Sequence, residues 1–191
     1  MTHVTIIGTG NMGTAIGGLF AAAGATVDYV THEDLGTAQI AGDTVVLAVP
    51  HPAVNDILAT KKAQLAGKAV VDITNPVNFE TFDGLVTEPG TSKAAEIQQQ
   101  LPDSHVVKAF NTNFAATLAS KKVGENQTTV LLAGDNADAK AALASTLTAA
   151  GIRAVDAGSL KRAVELEALG FLQITLAAGE KTSWTTGFAL L

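Results

Sequence analysis

The stretch HVTIIGTGNMGTAIGGLFAAAG, residues 3–24, decides how the rest of the chain is read. HVTIIG (3–8) is a β-branched run with no acid, lysine or arginine, the pattern of a central parallel strand covered on both faces. Residues 11–23 are helical by composition, and Gly24 ends them. Between the two, Gly8, Gly10 and Gly13 fit G-x-G-x-x-G. Alone that pattern is weak. After a strand and before a helix it is the turn that receives a dinucleotide pyrophosphate. Gly8 makes the tight turn, Gly10 lets the backbone approach the pyrophosphate, and Gly13 lets the helix pack close to the strand. The helix N-terminus adds free N–H groups and the positive end of its dipole. The competing reading, a strand–helix turn without a ligand, is disfavoured by this context.

Beyond residue 24 the pattern repeats as strand, helix, strand. Strands are expected at 26–30, 43–50, 68–74, 104–110, 128–134 and 152–158. Helices are expected at 52–65, 91–101 with a Thr91 cap, 136–151 and 159–179. The fold class is therefore α/β, a three-layer doubly wound parallel sheet with a short C-terminal helix and tail. Residues 1–158 read as the dinucleotide-binding domain and 159–191 as a helix and tail packed on it. The dozen residues HEDLGTAQIAGD (32–43) between the second and third strands leave room for one short helical turn at most. The long connection at 75–90 has the length of a functional or mobile loop.

The 191 residues carry a net charge of −6, which excludes a basic nucleic-acid surface. There are no cysteines, so disulfides and thiolate chemistry are excluded, and four scattered histidines show no metal-ligand spacing. The opening MTHVTII has no basic, cleavable leader, so a cytoplasmic protein is expected. The apolar window 12–30 holds Gly17, Gly18, Gly24 and Asp28 and reads as helix, turn and strand, not as a membrane span. G-x-S-x-G and G-x-x-x-x-G-K-[ST] are both missing, against a hydrolase and an NTPase.

Nucleotide choice is made at the end of the second strand, where an NAD site places an acid for the ribose hydroxyls. Here Thr31 and His32 come first, a hydroxyl followed by a basic ring, which suits a 2′-phosphate and favours NADP over NAD. Glu33 is the rival for the ribose, and Asp28 sits too early, inside the strand. In an open parallel sheet ligands bind outside the carboxyl ends of the strands. Pro50, His51, Asn75, Asn78, Phe110, Asn111 and Thr112 all lie at or just past such ends.

The stretches GTGNMGTAIG, LAVPHPAV, VVDITNP, VVKAFNT, LLAGDNADAK and DAGSLKRAVELE occur in order over most of the chain. By them the chain resembles the NADP oxidoreductases that depend on a deazaflavin coenzyme (coenzyme F-420), which are Rossmann-type domains. The NADP-binding domain of membrane metalloreductases looks similar, with the same KAFNT run. The resemblance implies that Gly8, Thr9, Gly10, Asn11, Met12 and Gly13 hold the pyrophosphate and that Thr31 and His32 take the 2′-phosphate region. It implies that Ala48, Val49, Pro50, His51 and Val54 line the third-strand side. It places Asn75, Pro76 and Ala109 along the nicotinamide, and Asn111 joins them by its place at a strand end, where an amide can orient a carboxamide. The shortened segment after the second strand departs from the family and removes part of one wall at the adenosine side.

The chemistry expected is hydride transfer between NADPH and a flavin-like, deazaflavin or other small acceptor. A flavin-like ring needs no strong protein acid, whereas a carbonyl or imine needs a proton donor within hydrogen-bond reach. The candidates are His51, which could equally contact phosphate or ribose, and Lys108, which could equally snorkel to the sheet surface. Two alternatives stand beside this: a non-catalytic NADP(H)-binding redox sensor, and an imine- or hydroxyacid-type dehydrogenase completed by a dimer partner. Ala163, Leu166, Leu169, Leu172 and Leu176 make one apolar face on the last helix, and a homodimer through it and the Trp184–Leu191 tail is expected. Trp184 and Phe188 could also cover a substrate ring.

Overall fold

A computed structural model describes residues 2–191. The first unit is β1 (His3–Ile7), α1 (Asn11–Ala22) and β2 (Thr26–Val30), with β1 and β2 paired in parallel. β3 (Thr44–Leu47), α2 (Val54–Leu65), β4 (Ala69–Asp72), α3 (Lys93–Gln100) and β5 (His105–Lys108) follow. Next come α4 (Ala115–Ser120), a small hairpin of β6 (Lys122–Val123) and β7 (Asn126–Gln127), β8 (Thr129–Gly134), α5 (Ala137–Ala149), β9 (Arg153–Gly158) and α6 (Ala163–Ala178). Seven strands form one sheet in the order β2-β1-β3-β4-β5-β8-β9.

Alternation along the strands divides the core between the two faces. Val4, Ile6, Val46, Val71 and Val107 join Ile16, Leu19 and Phe20 of α1 and Leu143 and Leu147 of α5. Ile7, Val45, Leu47, Val70 and Val106 join Ile57 and Leu58 of α2, Ile97 of α3 and Ala163 of α6. Strands buried on both faces favour apolar runs, which is why HVTIIG has no acid, lysine or arginine. β2 is the edge strand, and Asp28 faces out there, bonded to His3 Nε2 at 2.6 Å.

The doubly wound Rossmann-type arrangement is as expected, with one difference in strand direction. β5 and β8 are antiparallel, so β8 and β9 run against the other strands. The chain leaves β5 through α4 and the β6–β7 hairpin without crossing back over a face of the sheet, and it enters β8 from the carboxyl end of the parallel strands. α3 is also capped differently: Ser92, not Thr91, accepts from the Ala95 N–H at 3.1 Å.

The segment between β2 and β3 holds turns and no helix. It still covers the sheet face, because Leu35, Ala38 and the buried Ile40 pack on the α2 side of the core. Side chains of α2 and of Lys68, just before β4, pin its backbone: Lys61 Nζ donates to Ala38 O (2.6 Å), Gln64 Oε1 accepts from the Ile40 N–H (2.8 Å) and Lys68 Nζ donates to Gly42 O (2.7 Å). Among the described residues no helix is long and apolar enough to cross a membrane.

Candidate functional site

The glycine loop closes β1 against β3. Gly8 has φ +112°, and a Cβ there would overlap the Ala48 carbonyl. A Cβ on Gly13 would overlap the Gly8 carbonyl, so the first turn of α1 lies directly on the loop. Gly10 differs from both: its φ of −70° suits any residue, and nothing lies within 4 Å of the place a Cβ would occupy. Gly10 is the N-cap of α1, without a side-chain cap, and the first turn holds no acid. The helix therefore presents open N–H groups and its positive end to whatever lies above Gly10.

Two cavities flank this turn. One, of about 280 Å³, is lined by Gly8, Thr9 and Gly10, by His32 and Leu35, by Ala48, Val49 and Pro50, and by Ala53, Asp56 and Ile57 of α2 and the turn before it. The other, of about 470 Å³, starts at Asn11 and Met12 and continues past Ile73, Asn75, Phe110, Asn111 and Asn113. Phe114, Ala115 and Ala116 of the α4 turn, Ile174 of α6 and Trp184 and Thr185 of the tail close it. Both lie at the carboxyl ends of the parallel strands, where this fold binds ligands. A dinucleotide laid across α1's N-terminus has one cavity for each end.

The floor of the larger cavity is a reciprocal amide pair. Asn75 Nδ2 donates to the Asn111 carbonyl (2.8 Å), and Asn111 Nδ2 donates to Asn75 Oδ1 (2.9 Å) and to the Leu166 carbonyl (2.8 Å). Gly170 of α6 sits against the pair; a Cβ there would overlap the Asn75 amide. Asn111 Oδ1 is buried without a partner, as is Asn113 Oδ1. A buried acceptor left open favours a ligand that brings a donor, such as a carboxamide NH2. Phe110, fully buried, holds φ +63°, a conformation uncommon for a bulky residue and often found where a chain is shaped around a site.

Lys108 does not reach either cavity. It is fully buried, and its Nζ lies 2.8 Å from Asp72 Oδ2 and 2.8 Å from Glu167 Oε1 and also donates to the Thr74 carbonyl. Glu167 Oε2 accepts the Lys93 N–H at 3.0 Å, so the same carboxylate caps α3. Burial pushes the Glu167 carboxyl above its ordinary value, against the pull of Lys108. This triad ties β4, β5, α3 and α6 together beneath Thr74 and Asn75. Lys108 thus neither snorkels to the surface nor offers a proton to a bound acceptor. His51 is turned toward the loop at 75–90, with Nε2 3.2 Å from the Val77 carbonyl and its ring stacked on Phe79 at 5.8 Å.

Of the residues expected at the cofactor, Gly8, Thr9, Gly10, His32, Ala48, Val49 and Pro50 line the smaller cavity, and Asn11, Met12, Asn75 and Asn111 the larger. Gly13 supports the turn from behind. Thr31, His51, Val54, Pro76 and Ala109 line neither: Val54 and Ala109 are fully buried, and the Thr31 hydroxyl donates to Asp34 Oδ2 at 2.6 Å. Asn113, Phe114, Ile174, Gly170 and Glu167 escaped the sequence reading. A glycine in the middle of an amphipathic helix, at a cost of about 1 kcal/mol relative to alanine, was the legible signal for Gly170.

No protein-family profile matches the chain. The F420-dependent NADP reductase of Methanocaldococcus jannaschii is 31% identical over 150 residues, 75% of this chain and 66% of that enzyme. Over three quarters of its length the chain is thus similar to an F420-dependent NADP reductase. Metalloreductase STEAP3 of Rattus norvegicus is 37% identical over 107 residues, 56% of this chain but 20% of that protein. In three dimensions, a candidate F420-dependent NADP reductase from Arthrobacter sp. FB24 matches over 100% of both chains with a TM-score of 0.87; at 24% identity this bears on the fold. The chain thus spans just under two thirds of one of these relatives and a fifth of the other.

Proposed function

We propose that the chain transfers a hydride between NADPH and a flavin-like, deazaflavin or other small conjugated acceptor. The observation that carries this is the make-up of the larger cavity. It adjoins the dinucleotide turn, and among the described residues no Asp, Glu, His, Lys or Arg lines it. Neither proton-donor candidate opens onto it. An imine or carbonyl needs a donor in reach; a conjugated ring that accepts hydride does not.

NADPH supplies the hydride when bound. The chain's residues supply position and dryness. Gly10 and the first turn of α1 hold the pyrophosphate, and His32 is the basic side chain that lines the smaller cavity, on the 2′-phosphate side. Asn75 and Asn111 orient the carboxamide, with the Asn111 Oδ1 acceptor free to take its N–H. Met12, Ile73 and Ile174 exclude water. Residues 1–158 act as the dinucleotide-binding domain and 159–191 as its packed extension. The assembly we propose is a cytoplasmic homodimer paired through α6 and the tail, supported by the exposure of Leu172, Phe188 and Leu190.

Steady-state oxidation of NADPH tests the reading. Turnover is expected with flavin-, deazaflavin- or quinone-type acceptors and none with cyclic imines or 2-hydroxyacids. Tight NADPH binding without turnover of any ring acceptor would make the chain a redox sensor. Imine reduction would overturn the argument from the missing donor.

A further inference from the structure

We propose that the larger cavity takes an uncharged, planar ring of the quinone class, and that Trp184 forms the face against which it lies. This rests on the reading above and narrows its acceptor.

The first observation is charge. The polar groups of the cavity are amides and one threonine, and the rest of its wall is apolar. The adjoining depression, which shares Asn11, Ala115 and Ala116 and adds Thr14, Ala15 and Ala119, is also without an ionisable side chain among the described residues. A ring bearing a charged substituent would place that charge against this wall with no cation to meet it, on a chain of net charge −6. An uncharged ring meets no such penalty.

The second observation is Trp184. It lies in the tail beyond α6, outside any helix or strand, and it is 52% exposed. Its contact is a tilted one with Phe114, ring centroids 5.0 Å apart at 54°. The tail beyond it is tied down, since Gln173 Oε1 accepts the Phe188 N–H (3.3 Å) and Arg153 Nη1 donates to the Leu190 carbonyl (3.0 Å). The indole is thus held at the cavity wall with much of its surface open, the arrangement that offset stacking on a flat ring requires. The reaction balances without a protein acid. Quinone, NADPH and one proton from water give hydroquinone and NADP+.

Trp184 is the chain's single tryptophan, so its emission reports this wall alone. Menadione titrated into the protein, with and without NADP+, is expected to quench that emission saturably. Naphthoquinone-2-sulfonate, a similar ring bearing a charge, is expected to bind at least about tenfold more weakly. By equilibrium dialysis without nucleotide, Trp184→Ala should weaken menadione binding at least about tenfold, and Trp184→Phe should keep it within about threefold. Equal or tighter binding of the sulfonate, or unchanged binding in Trp184→Ala, would overturn the proposal. Because the quench is read without turnover, a failure to oxidise NADPH would count against the proposed function and not against this site.

Discussion

Among the glycines of the turn, Gly8 and Gly10 serve different ends, and substitution separates them. Gly8 needs φ +112° and has the Ala48 carbonyl where a Cβ would stand, so Gly8→Ala is expected to unfold the turn and lower stability by several kcal/mol, about 2–4 °C of melting temperature for each. Gly10 has ordinary φ and open space around it. Gly10→Ala should melt within about 2 °C of the parent yet bind NADPH at least about tenfold more weakly, ~1.4 kcal/mol, because the new methyl stands where the pyrophosphate must approach. Thermal melts and a nucleotide titration on the two variants check this; equal NADPH affinity in Gly10→Ala would mean the pyrophosphate lies elsewhere. The glycine roles were legible because each follows from a local backbone requirement. The amide pair was only half legible. Asn75 and Asn111 stand at strand ends, but their bonding to each other and to Leu166 depends on where α6 docks, which no local pattern encodes.

The buried triad belongs to the scale of elements. Lys108 in VVKAF resembles a snorkelling residue as readily as a catalytic one, because its partners Asp72 and Glu167 lie on other elements. Lys108→Met removes the cation between two buried carboxylates and should cost about 3–5 kcal/mol in denaturant unfolding. Glu167 adds a pH signature. Its folded pKa is raised from 4.5, so its contribution is full below that value and is lost as pH rises through the folded value. The stability advantage of the parent over Glu167→Gln should therefore shrink as pH rises above 4.5; an advantage that grows would contradict the burial argument. The strands were legible because burial on both faces demands apolar runs. The reversal at β8 was not, because α4 and the β6–β7 hairpin are too short to carry a periodic pattern, and they set the direction.

At the scale of the molecule, one loop divides a continuous ligand path. Gly8–Gly10 face the cavity with His32, and Asn11 and Met12 face the cavity with the amide pair. The short segment 32–43 was rightly read as lacking room for a helix, but it does more than shorten a wall. Leu35 lines the smaller cavity, and Ile40 seals the core beneath it. Pairing through α6 and the tail predicts twice the chain mass in light scattering, reduced to one by Leu172→Glu, since Leu172 is the large apolar side chain of α6 left 49% exposed. A monomeric parent would remove the dimer and leave the cavities as they are.

The central claim is that this turn and these two cavities hold NADP(H). A titration followed by the fluorescence of bound nicotinamide, NADPH against NADH, tests it most directly. NADPH is expected to bind at least about tenfold tighter, ~1.4 kcal/mol, with His32→Ala narrowing the gap. Equal or tighter NADH binding would assign the ribose to Glu33 or Asp28 and contradict the nucleotide choice, and binding of neither would leave the glycine turn a structural one.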